Sequence, residues 1–170
     1  MSLRNEYPAT VCEILDDKMK FRPAALTAVR RFARCHPWLG STAERRLKFE
    51  RLLDDLSNVY GIPRPRLVID GLDGSDSSRS CYLPSLHTII LRGFSVVTLL
   101  HEFCHARGMG EYDAVAYSVN LYRRIWPRLF ARCQHQGHLL RSPSHYCPVE
   151  QLAKPRLASV NAGDSAHLRP

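Results

Sequence analysis

Residues 101–111 read His101-Glu102-Phe103-Cys104-His105-Ala106-Arg107-Gly108-Met109-Gly110-Glu111, and no other stretch narrows the fold so sharply. On a helix, positions i and i+4 lie on one face a turn apart, so His101 and His105 can point at one ion. Glu102 is turned about 100° from His101, where it reaches a water on that ion without ligating it. The flanking residues agree with a helix. Val96, Val97, Leu99, Leu100, Phe103 and Cys104 supply an apolar surface at helical spacing, and Ser95 stands at the N-cap. Gly108 breaks the helix three residues after His105, where the chain turns back toward a further ligand.

This H-E-x-x-H pattern resembles that of zinc metallohydrolases, in which two His hold Zn²⁺ and the Glu serves as general base. The third ligand has two contenders. Glu111 lies six residues after His105, which matches the H-E-x-x-H-x-x-G-x-x-H/D spacing of metzincins with Glu in the last place. Met109 cannot supply the Met-turn of that group, and no methionine follows it. Residues 111–126 (EYDAVAYSVNLYRRIW) read instead as a second helix, with Val115, Ser118, Tyr122 and Trp126 near the helical period. A carboxylate ligand from a second helix after a short turn resembles the compact minigluzincins of the bacterial ImmA-like type, a resemblance spanning residues 66–126. Asp113, just before Ala114, competes with Glu111 for this role. The carboxylate that does not ligate favours the helix dipole from the first turn or orients a His N–H.

Such a ligand set leaves the fourth position of tetrahedral Zn²⁺ open for water, with Glu102 as proton acceptor. The resemblance therefore implies a peptide-bond hydrolase acting on a protein or peptide. A tetrahedral intermediate needs an oxyanion donor, and Tyr112, Tyr117 and His87 are the candidates.

The expected fold is α+β, a minimal zincin with a small antiparallel or mixed sheet packed on N-terminal helices. Residues 24–35 read as a helix closed off by Pro37. Ser41 to Glu44 form a capping box opening a helix to about Tyr60, with Leu47, Phe49, Leu52, Leu53, Leu56 and Val59 facing the core and Gly61 as the stop. Residues 66–70 read as a strand, residues 71–80 as a Gly/Ser/Asp-rich loop, and residues 81–83 and 87–91 as two short antiparallel strands. By the same resemblance, residues 87–91 or 80–83 offer an edge to an extended substrate. One domain over residues 1–153 and a flexible tail over residues 154–170 are expected.

No run approaches the roughly 20 apolar residues of a membrane span, and residues 1–17 lack an apolar signal core. The expected compartment is the cytoplasm, where the six cysteines stay reduced. Cys133, His135, His138, His145 and Cys147 form a Cys/His cluster that reads as an appendage over residues 133–147, either a second, structural Zn site or scattered loop residues. If metal binds there, the chain becomes similar to SprT-like proteases, which couple the same motif to DNA. The net charge is +8, and no acidic residue occurs from Ala114 through Val149. Arg123, Arg124, Arg128, Arg132 and Arg141 form a stripe in that interval that suits phosphate or a solvated face. A third alternative is a non-catalytic zinc-stabilised binding protein whose fourth position is closed, for instance by Asp113 together with Glu111. Docking on nucleic acid predicts retention on heparin or DNA that falls steeply with salt. Retention that ignores salt, or none at all, would remove that partner.

Overall fold

Local chemistry starts and stops most of the helices. Pro23 opens α1 (Pro23–Arg34), where its missing N–H costs nothing. Ser41 and Glu44 close both halves of a capping box before α2 (Thr42–Tyr60), with Ser41 N–H donating to Glu44 Oε2 at 2.6 Å. Gly61 ends that helix in the left-handed region at φ 66°. Phe49, Leu52, Leu53 and Leu56 of α2 are buried, but Leu47 is 51% exposed. The expectation that Leu47 faces the core is corrected here. It lies two residues before Phe49, about 200° around the helix and opposite the buried stripe.

The computed structural model describes residues 13–70 and 80–133. Beyond α2 come β1 (Arg66–Ile69), β2 (Cys81–Leu83), β3 (Thr88–Leu91), α3 (Val96–Ala106), α4 (Glu111–Ile125) and the short α5 (Pro127–Phe130). Among the described residues the fold is thus mixed α+β, with five helices and one three-stranded sheet. Their buried apolar side chains join one core. The loop expected over residues 71–80 lies, apart from Ser80, outside the described residues, as does the tail from residue 154. No helix among the described residues is long and apolar enough to cross a membrane.

The sheet order is β1-β3-β2, with β1 parallel and β2 antiparallel to β3. A 3-10 turn (Pro84–Leu86) joins β2 to β3, and His87 sits after it at φ 45° rather than within the strand. Since β3 has a partner on each side, the expectation that residues 87–91 offer an edge to substrate does not hold. Among the described residues β2 is an edge, and it packs beside α3.

α4 is buried along Ala114–Tyr122, as befits a helix covered on several sides. It lies against α3 and α1, and the segment before α1 straps across it. Buried Asn120 anchors that strap. Its Oδ1 accepts from Asp16 N–H at 2.9 Å, and its Nδ2 donates to the carbonyls of Ile14 and Ala116. Trp126 then packs against Phe32 and Trp38, with ring centroids 6.4 Å and 5.8 Å apart.

Replacing Asn120 by Ala strands the Ile14 carbonyl and the Asp16 N–H, which costs about 1–3 kcal/mol. Urea denaturation should register that loss, whereas Leu47→Gln on the exposed face should stay within about 0.5 kcal/mol of the parent. Equal stabilities for Asn120→Ala and the parent would mean that the strap is not anchored there.

Candidate metal centre

α3 begins at Ser95, whose hydroxyl accepts from Thr98 N–H at 3.2 Å. It ends in a tight reversal at Gly108, which takes φ +79°. There Gly108 N–H donates to His105 O at 2.8 Å and Met109 N–H donates to Cys104 O at 3.0 Å. This pair of bonds is the Schellman motif, and the left-handed glycine is what allows it. Four residues separate Ala106 from Glu111, the first residue of the next helix. The motif helix and Glu111 are therefore joined by a short connection that turns the chain back on itself.

This reversal puts Glu111 opposite both imidazoles. Oε1 lies 3.0 Å from His101 Nε2, and Oε2 lies 3.1 Å from His105 Nε2. The two Nε2 atoms are 3.0 Å apart, with the rings crossed at 84°. Among the described residues, His101, His105 and Glu111 form a group whose ligand atoms all lie within 4.8 Å of one another.

The protonation of this group decides what it can hold. His105 Nδ1 lies 3.1 Å from Met109 O, and a carbonyl only accepts, so Nδ1 carries the hydrogen. In neutral His105 the Nε2 lone pair then points into the cluster. Glu111 Oε1 is buried with no aligned hydrogen-bond donor, although His101 Nε2 is close. Converging lone pairs with an orphaned carboxylate oxygen call for positive charge among them. A tetrahedral ion with arms of about 2.0–2.1 Å has edges of about 3.3 Å, close to the spacings seen here. The donor set fits a divalent cation of the zinc type.

Protons compete for the same place. Burial favours a neutral Glu111, but the facing imidazoles of His101 and His105 outweigh it and hold the carboxyl well below the usual range. The bond to Glu111 raises His105, against burial and with help from the Met109 carbonyl. Glu102 is only 6% exposed, and burial pushes its pKa up. The two imidazoles and the Tyr82 backbone N–H, which donates to its carboxylate, pull the other way. Burial pushes the Cys104 thiol up to about 12, so it is neutral and packs in the core.

The other candidates separate clearly. Asp113 is exposed on the first turn of α4 and does not join the cluster. Tyr117 bonds Tyr60 through its hydroxyl at 2.7 Å, and burial raises its pKa. Tyr112 donates to Glu13 O at 3.3 Å. His87 donates from Nε2 to Pro63 O and accepts at Nδ1 from the Tyr82 hydroxyl. All three expected oxyanion donors thus make hydrogen bonds within the protein. Cys133 is buried and donates its thiol to Leu129 O, while His135, His138, His145 and Cys147 lie outside the described residues. Arg123 pairs with the Asp17 carboxylate, and Arg124 donates to the Asp17 carbonyl. Arg128 and Arg132 are exposed, and Arg141 lies outside the described residues.

Two contacts had no signal in the sequence. Met109 and Tyr82 act at this site through backbone atoms, which every residue type possesses. No known family, curated protein or solved structure matches the chain.

Glu111→Gln should weaken zinc binding by more than about ten-fold, since it removes the charge facing both imidazoles. Asp113→Asn should leave it within about two-fold. Competition against a chromophoric chelator measures both, and the reverse ranking would move the third ligand to Asp113.

Proposed function

We propose that this chain is a zinc-dependent hydrolase of peptide bonds, a minimal zincin of the minigluzincin type. The convergence of Glu111 on His101 and His105 carries the proposal. A zinc ion bound there would lower the pKa of its water toward about 7 and polarise the scissile carbonyl.

The protein's own groups fit the remaining tasks. Glu102 follows the first ligand on α3 and is buried, so its carboxylate is a stronger base than one in water. In this scheme it takes the proton from the attacking water and passes it to the leaving amine. Among the described residues β2 is the sheet edge beside α3. An extended peptide pairing with β2 would bring its backbone alongside the general base. The free thiols of Cys35, Cys81, Cys104 and Cys133 suit a reducing compartment such as the cytoplasm.

The competing functions have less behind them. A closed, structural metal site needs a fourth protein ligand, and Asp113, the instance named for it, is exposed and apart from the cluster found among the described residues. Attachment to DNA through the arginine stripe loses Arg123 and Arg124 to Asp17.

Glu102→Gln should keep zinc affinity near that of the parent while hydrolysis of an unfolded protein such as casein falls by about 10²–10⁴-fold. Parent-like turnover in this variant would take the general-base role away from Glu102.

A further inference from the structure

We infer that Gly108 is a positioning residue for the metal ligand His105, acting through the carbonyl of Met109. The inference rests on the proposed metal site and adds a residue that contributes no side chain to it. A Cβ built on Gly108 meets nothing within 4 Å, so space does not require glycine there. The backbone does, at φ +79°. That conformation sends the Gly108 N–H to His105 O and the Met109 N–H to Cys104 O. The same turn brings Met109 O within 3.1 Å of His105 Nδ1.

The last contact reaches past helix capping. It places the ring hydrogen on Nδ1, fixes the ring plane and leaves the Nε2 lone pair facing Glu111. Without it the imidazole is free to rotate or to carry its hydrogen on Nε2, and metal binding must then supply the ordering. One backbone conformation thus does two things, since it ends α3 and aims its last ligand.

α2 provides an internal control. Gly61 also caps a helix in the left-handed region, at φ 66°, and also has open space around its Cα. It belongs to no metal ligand's turn. The test measures zinc dissociation constants and melting temperatures for the full chain and for Gly108→Ala, Gly108→Asn and Gly61→Ala. Asn tolerates the left-handed region better than Ala does. Gly108→Ala should weaken zinc binding by about 10–100-fold. Gly108→Asn should recover most of that loss, and Gly61→Ala should lower the melting temperature with affinity within about two-fold of the parent. Parent-like affinity in Gly108→Ala would overturn the inference, as would an equal loss in Gly61→Ala.

Nitrogen NMR of the zinc-loaded parent gives a second route that depends on no variant. His105 should coordinate through Nε2 and keep an exchange-protected Nδ1–H, and coordination through Nδ1 would overturn the inference. A parent chain that takes up no zinc at all would instead refute the metal site itself.

Discussion

A largely buried carboxylate facing two imidazole nitrogens at about hydrogen-bond distance is tenable only with positive charge among them. Protons supply it in the metal-free protein, where Glu111 is held ionised and His105 is drawn toward its charged form. A divalent ion, as proposed, would supply it from one charge centre serving every converging lone pair. The motif helix, the Gly108 reversal and the first turn of α4 make sense together as the means of forcing this meeting.

The surrounding structure keeps it rigid. α3 is anchored by Leu99, Leu100, Phe103 and Cys104, all fully buried, so its histidines cannot drift apart without disturbing the core. α4 is gripped along its length, and Asn120 ties it to the strap before α1. That strap also occupies Arg123 and Arg124. Charge that reads in the sequence as a docking surface is here partly a clasp between two segments of the same chain.

The elements with strong local chemistry were legible before the structure. Ser41 and Glu44 marked the start of α2, Ser95 the start of α3 and Gly108 its end. Helical spacing alone brought His101 and His105 to one face, and Glu111, one of two carboxylates in contention, was readable as their neighbour from its place after the turn. Sheet order was hidden, because β1-β3-β2 follows from long-range pairing and not from any property of residues 87–91. Hydroxyl and ring partners were hidden too. Tyr60 and Tyr117, or His87 and Pro63, lie far apart in the chain and meet only when the core forms. Leu47 misled for a plainer reason, since an apolar residue off the buried stripe is common on a folded surface.

The most direct measurement is zinc-edge X-ray absorption on the chain loaded with one equivalent of Zn²⁺. The account predicts a nitrogen and oxygen shell at about 2.0–2.1 Å, with the outer scattering of two imidazoles and no sulfur. A sulfur shell near 2.3 Å, or zinc that fails to bind with imidazole scattering, would contradict it.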